Sequence, residues 1–268
     1  RERFPQVVVI PSEGNIGFGA GCNRVAAGAR AEHILFLNPD TRLQDDAITR
    51  LLAFARAKPE AGAWGGRTVT ERGEFDGGNR ITPPSLGGLL LRGVGLTTLG
   101  MPRLALEAEH LPRPAPVLCG GLFMMARETW RRLGGFDESF FLYCEETDLF
   151  VRLRATGREA WVDPAVTIVH DAGSGQRLSP ARLTYRSQGE MHFLRKHKSP
   201  LAADIGGALI WAGAAWRYAL GVLLKGFSAK ARVLHDAYGE VARRPGRWFA
   251  GYRERSASAP VVFERTRR

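Results

Sequence analysis

The chain has 268 residues, 44% hydrophobic and 24% charged, enough for one large globular domain or for a domain with an accessory segment. Its net charge of +11 is uneven: 21 Lys/Arg balance 21 Asp/Glu as far as Leu178, whereas 17 face only 6 from Ser179 onward. Three widely spaced cysteines, Cys22, Cys119 and Cys144, argue against a disulfide framework or a zinc site and fit a reducing compartment. The chain opens at Arg1 with no charged-then-apolar signal segment, which reads as a fragment or a processed product. A neutral body with a basic tail points to an anionic partner, membrane lipid or nucleic acid, unless the tail charges are simply solvated helix faces.

Gln6 to Ile10 (QVVVI) is a short apolar run suited to a buried strand. The glycine-rich stretch GNIGFGAGCN follows from Gly14 and leads into an Ala-rich helix ending near Ala31. Glycines between a strand and a helix serve either close backbone approach to a ligand phosphate or sugar, or tight packing. Their GxGxG spacing does not meet the dinucleotide fingerprint. His33 to Leu37 (HILFL) is the next buried strand and ends in Asn38-Pro39-Asp40-Thr41. An aspartate at the C-terminal edge of a parallel strand sits where α/β folds bind ligands; it is otherwise a turn residue, or caps the helix from about Asp45 to Ala57.

Ala63 to Gly66 reads as a short strand and turn. From Glu71 to Pro116 the chain is rich in Gly and Pro around one apolar patch, Leu86 to Leu91, the composition of a binding loop or lid. Val117 to Ala126 resumes a buried strand broken by a glycine pair, and Arg127 to Leu133 is a short helix. Gly134-Gly135 then breaks the chain, and a helix begins at Glu145 and stops at Gly157. In that helix Glu146, Leu149 and Leu153 form one stripe, with Glu145, Asp148 and Arg152 on its flank. A carboxylate on an apolar stripe points inward or into a cleft, where it can serve proton transfer; acids here also suit a helix N-terminus electrostatically. Ala160 to Val162 and Ala165 to Val169 read as two short strands around Asp163-Pro164, closing on His170.

Beyond Ser179 the composition changes. Ser179 to Lys198 is basic and amphipathic, with His192 and His197 read as surface residues among Arg195, Lys196 and Lys198. Ile205 to Leu224 is apolar with a single charge, Arg217, and four glycines; a helix lying in a membrane interface or packed on the body fits better than a span. From Arg243 the Arg/Pro/Gly/Ser composition reads as a poorly ordered tail. The chain therefore divides into residues 1–178, an α/β body, and 179–268, a helical, basic, membrane-associating region.

GNIGFGAGCN from Gly14, LFLNPDT from Leu35 and GGFDESFFLYCEETDLFVRL from Gly134, with His170 closing the run, resemble the family 2 inverting glycosyltransferases. They resemble especially the bacterial rhamnosyltransferase-like and galactofuranosyltransferase-like members. The resemblance implies a GT-A fold, a mostly parallel sheet flanked by helices, a TDP- or UDP-sugar donor and a divalent metal, Mg or Mn. It implies metal binding by Asp40, where Asn38-Pro39-Asp40 replaces a DxD motif, and by His170. It further implies that Glu146 is the catalytic base with Glu145 beside it, that Gly17, Gly19, Asn23 and Asn38 line the donor site, and that Asp137 and Asp148 orient the acceptor.

On that resemblance, Glu146 deprotonates an acceptor hydroxyl as it attacks the anomeric carbon, with inversion, in cell-surface polysaccharide synthesis. The acceptor is a glycan or a lipid-linked sugar, and the enzyme sits on the inner face of a bacterial plasma membrane, bound to anionic lipid from the cytoplasm. Family members begin with a strand–helix–strand unit that should precede Phe4; its absence predicts that this chain alone holds donor poorly. The alternative is a non-catalytic, membrane-associated scaffold derived from such an enzyme. Nucleic-acid binding has only the basic tail in its favour, and no recognition motif accompanies it, so none is expected.

Overall fold

The computed structural model describes residues 4–12, 14–74, 81–96, 111–170 and 179–252. In chain order these form α1 (Phe18–Ala26), β1 (His33–Leu37), β2 (Thr41–Leu43), α2 (Ala47–Ala57), β3 (Ala63–Val69), α3 (Leu86–Gly93), β4 (Arg113–Ala115) and β5 (Leu122–Ala126). There follow α4 (Arg127–Leu133), α5 (Glu145–Ala155), β6 (Ala160–His170), α6 (Pro180–His197), α7 (Pro200–Leu224) and α8 (Ala229–Arg243).

One sheet runs in the order β1-β5-β3-β6-β2, with β4 also on β6. Parallel pairing joins only β3 and β6; the other pairings are antiparallel. This corrects the expectation of a mostly parallel sheet. The cause is β5, which inserts between β1 and β3 and runs against both. β1, β3 and β6 still share one direction, so the C-terminal ends of β1 and β6 meet at the same rim.

The sheet is covered on both faces, as an α/β fold requires. Phe36, Phe123, Trp130, Phe136, Phe150 and Leu153 bury one face beneath α1, α4 and α5. Ala47, Leu51 and Phe54 of α2 cover the other against Trp64, Met124 and Ile168. Asp163-Pro164 does not divide two strands: β6 is continuous, and its register against β3 shifts between Gly66 and Arg67. A bulge absorbs the proline's missing donor there.

Gln6 to Ile10 is not a strand. Val7, Val8 and Val9 are exposed and pair with no neighbouring strand among the described residues, so apolar composition alone did not make them β. Leu86–Gly93 is a helix capped by the Ser85 hydroxyl, which accepts from Gly88 N–H. Residues 75–80 and 97–110 of that irregular stretch lie outside the described residues, as does the tail beyond Tyr252. The near part of the tail is ordered: Trp248 is fully buried and its indole N–H donates to the Val241 carbonyl.

The helices after Ser179 enclose a core of Leu89, Met191, Leu194, Ile210, Val241 and Trp248. Within α7, Gly206, Gly207, Gly213 and Gly221 lie against Leu194, Phe249, Gly93 and His235 respectively, where a side chain would overlap or crowd its neighbour. Arg217 donates to the carbonyls of Arg92, Gly93 and Gly213. It thus closes the C-terminus of α3, where a cation suits the helix dipole. The helix has the length and composition to cross a membrane, yet its glycines and its arginine are committed to packing on this body.

Candidate active site

The rim where β1 and β6 end carries the chemistry. Thr41 pairs with His170 across β2 and β6, which brings the preceding Asp40 alongside: His170 Nε2 lies 3.6 Å from Asp40 Oδ1. His170 is mostly enclosed, whereas half of the Asp40 side chain is exposed. Gly121 fits beneath them, because a Cβ there would touch Thr41 and His170 at 3.4–3.5 Å. The Asn38 backbone N–H donates to the Gly121 carbonyl at 3.2 Å, and its own carbonyl accepts the Thr41 N–H and hydroxyl. Asn38 thereby shapes the turn that presents Asp40.

The acidic pair arrives from α5. Tyr143 and Cys144, immediately before the helix, both hold left-handed backbones, with φ of 67° and 69°. Two such consecutive non-glycine residues are strained by roughly 1–3 kcal/mol each and persist only where the surroundings fix them. Here the fixing comes from the C-terminal region. Gly189 of α6 abuts the Tyr143 carbonyl so closely that a side chain would overlap it. Arg182 donates to the Tyr143 hydroxyl at 3.0 Å, and the Tyr252 hydroxyl donates to the Leu142 carbonyl.

Glu146 leaves this turn towards the rim. Its carboxylate accepts backbone N–H groups, including that of Gly120, and lies within electrostatic reach of His170. Burial raises its pKa to about 7, against the lowering by those N–H donors and by His170. Glu145 is turned inward under α1, with Oε2 buried and making no hydrogen bond among the described residues. Burial, then the neighbouring Glu146, drives its pKa well above the ordinary carboxylate range. Two adjacent buried carboxyls do not both ionise readily, and burial raises the pKa of each. Cys22, close by, is no nucleophile: burial, then Glu146 and Glu145, pushes its thiol up to about 12.

Several side chains expected to meet substrate are committed elsewhere. Asn23 donates through Nδ2 to the Phe136 carbonyl at 2.8 Å and to Glu138 Oε1 at 3.0 Å, and its Oδ1 accepts the Phe136 N–H at 2.9 Å. It pins the Gly135–Phe136 turn to α1 and has no donor left for a nucleotide-sugar. Gly17, at φ 89°, sits against the Phe141 carbonyl, and Gly19 against Phe136 and Glu145. The glycine-rich stretch therefore lets α1 approach the acidic segment, the packing alternative of its two readings.

Asp137 uses Oδ1 for the Ser139 N–H and hydroxyl, at 2.9 and 2.6 Å, and Oδ2 for Lys196 at 2.6 Å. These partners overcome the effect of burial and hold its pKa at about 2. Asp148 is fully buried, with Arg152, Lys196 and His197 each 2.7 Å from its oxygens. Both carboxylates fasten α6 to the acidic segment, Asp148 from full burial and Asp137 with 28% of its side chain still exposed.

His192 and His197 are not surface residues. His197 Nε2 meets Asp148, and His192 Nε2 lies 2.8 Å from the Ser139 hydroxyl. The sequence held one unread signal for the site. The Gly120-Gly121 pair interrupts an apolar run, which marks a close approach by another group. Lys196, His192 and His197 gave none, since they read as one solvated basic face.

Comparison with known proteins agrees with this architecture. The family model described as glycosyl transferase family 2 matches residues 1–134, and that described as the N-terminal domain of galactosyltransferase matches residues 101–169. N-acetylglucosaminyl-diphospho-decaprenol L-rhamnosyltransferase of Mycobacterium tuberculosis is 29% identical over 221 residues, 74% of this chain and 66% of that protein. Rhamnosyltransferase WbbL of Escherichia coli K12 is 27% identical over 175 residues, 62% of this chain and 65% of that protein. The chain thus spans just under two thirds of the length of these curated relatives.

Among solved structures, the mannosyltransferase PcManGT of Pyrobaculum calidifontis, in complex with GDP-Man and Mn2+, superposes with a TM-score of 0.50 at 17% identity, covering 93% of this chain and 70% of that one. GalNAc-T7 with UDP, GalNAc and Mn2+ gives a TM-score of 0.50 at 13% identity, covering 91% of this chain and 46% of that one. At such identities these two speak for the fold, which is GT-A. Half of the chain, residues 1–134, is matched by a single family model: the chain belongs to glycosyl transferase family 2.

Proposed function

We propose that this chain carries the catalytic centre of an inverting glycosyltransferase. It moves a sugar from a TDP- or UDP-sugar to a hydroxyl of a glycan or lipid-linked acceptor in cell-surface polysaccharide synthesis. The observation that carries the reading is Glu146: a carboxylate raised to about 7, at the strand rim, beside the Asp40–His170 pair. A base with a pKa near the working pH combines a useful ionised fraction with real proton affinity. Glu146 takes the proton of the acceptor hydroxyl as its oxygen bonds to the anomeric carbon and the bond to the nucleoside diphosphate breaks. One displacement inverts the configuration, and no residue at the rim is needed as a covalent nucleophile.

Asp40 and His170 would hold a divalent cation, Mg2+ or Mn2+. Ligands each about 2.1 Å from a shared ion can stand up to roughly 4.2 Å apart, and the observed 3.6 Å separation falls within that reach. Among the described residues no third His, Cys, Asp or Glu joins them, so the pair fits a partial protein shell. When bound, such a cation offsets charge on the departing diphosphate. The rhamnosyltransferase relatives favour a deoxyhexose donor and a diphospholipid acceptor.

Contact with the inner face of the plasma membrane is part of the proposal. Leu201, Trp211, Trp216, Leu223 and Phe227 are exposed along α7 and the turn after it, beside Lys225 and Lys230. Apolar anchors among cations suit anionic lipid. The test is transfer of label from a panel of TDP- and UDP-sugars to a GlcNAc-diphosphoprenol, with the anomeric configuration of the product read by NMR. Inverted product supports the reading; a retained configuration, or no transfer from any donor, contradicts it.

A further inference from the structure

Between α3, α6, α7 and α8 lies a cavity of about 80 Å³, well above the roughly 10–15 Å³ that one water needs. Its walls include Arg92, Arg186, Arg217 and Glu190. Glu190 is nearly inaccessible and accepts both terminal nitrogens of Arg92, with Arg186 Nε at 3.1 Å. Arg217 meets no carboxylate among the described residues; it donates instead to the carbonyls of Arg92, Gly93 and Gly213. Three guanidiniums against one carboxylate leave an excess of two positive charges, and the C-terminus of α3 returns only about half a negative charge. Arginine cannot shed its proton to relieve this, so an anion that accepts from several N–H groups is the natural counter-charge.

The surroundings narrow the kind of anion. Helix α3 turns Arg92 and Gly93 to the cavity while Leu90, Leu91 and Val94 are exposed. An anion carrying an apolar chain therefore meets charge inside and apolar surface outside. The cavity is joined through α6 to the turn that enters α5, since Gly189 touches the Tyr143 carbonyl there and Glu190, the next residue, lines the cavity.

We propose that this cavity binds a diphosphate group, that of a prenyl-diphosphate-linked acceptor, and so orients the acceptor sugar towards the rim. The assignment of an acceptor to it rests on the glycosyltransferase reading above; the binding of diphosphate does not. Arg186 is the residue to change, because 52% of its side chain is exposed and its loss leaves the Arg92–Glu190 pair in place.

Binding is measured by calorimetry with EDTA present, so that no metal-dependent donor site takes up the probe. Farnesyl diphosphate, inorganic diphosphate and farnesol are titrated into the wild type, Arg186→Gln and Arg186→Lys, with thermal unfolding as the control for folding. The expected result is saturable binding of farnesyl diphosphate, weakened at least tenfold in Arg186→Gln and within threefold of wild type in Arg186→Lys. Inorganic diphosphate binding equally well, with the same Arg186 dependence, keeps the diphosphate site and assigns it to a free phosphate source. Absence of saturable binding by either diphosphate, farnesol binding as well as its diphosphate, or affinity indifferent to Arg186→Gln overturns the proposal. Transfer can fail with this site intact, and the site can fail with transfer intact, so the two readings are separately exposed.

Discussion

Glu146 Oε1 fills the space that a side chain at residue 120 would occupy: a methyl group on Gly120 would overlap that oxygen. The contact holds the proposed base against a backbone N–H at the strand rim. Gly120→Ala should therefore displace the carboxylate without opening the core. We expect kcat to fall by about 10²-fold, the effect of a misplacement near 1 Å, with circular dichroism unchanged. Activity within threefold of wild type would show that this cradle does not position the base.

Raised carboxyl pKa values cost stability as pH rises. The Glu146 carboxyl titrates at 4.5 unfolded and at about 7 folded, so the unfolded chain releases its proton first. Its burial therefore costs nothing below about pH 4.5, where it is protonated in both states, and the penalty grows between there and about 7 and is complete above. Glu146→Gln should then stabilise the protein at pH 8 by on the order of 3 kcal/mol and be neutral at pH 4.5. Urea melts at the two pH values read this directly; equal midpoints at pH 8 would contradict the assigned shift.

Asp148 has the opposite sign. Its cationic partners hold its pKa below the ordinary value despite burial, so its stabilisation is present above that value and lost in acid. Asp148→Asn leaves Arg152, Lys196 and His197 around a neutral amide, which should cost about 3–5 kcal/mol. Acceptor KM should stay within twofold at a temperature where the variant is folded. A selective rise in acceptor KM with normal stability would return Asp148 to a substrate-binding role.

The difference between Glu146 and Asp148 marks how far the sequence could be read. Helical spacing put Glu146 on a stripe with Leu149 and Leu153, and the order of NPD, EE and His170 was enough for the fold and the rim. Asp148 and Asn23 look equally functional in sequence, yet their partners are remote: Lys196 and His197 lie 48 and 49 positions on, and Phe136 lies 113. Composition does not record such pairings. The same blindness made His192 and His197 look solvated, and made an exposed valine run look like a strand. The Gly120-Gly121 pair was legible, because glycine inside an apolar strand signals close approach.

The turn after α7 gives a membrane test. Phe227 is 91% exposed and Leu223 72%, flanking Lys225. Burying either side chain in lipid is worth about 1.5–3 kcal/mol, so Leu223→Ser with Phe227→Ser should lower partitioning into vesicles containing anionic lipid by at least tenfold. Flotation assays check it; unchanged partitioning would remove this turn from the membrane contact.

The central claim is that Glu146 is the base, and one variant addresses it most directly. Glu146→Gln keeps the shape of the side chain and removes its proton affinity. Single-turnover transfer should fall by at least about 10²-fold, within the usual contribution of general-base catalysis, while donor binding stays within twofold. Transfer near the wild-type rate with donor still bound would contradict the account.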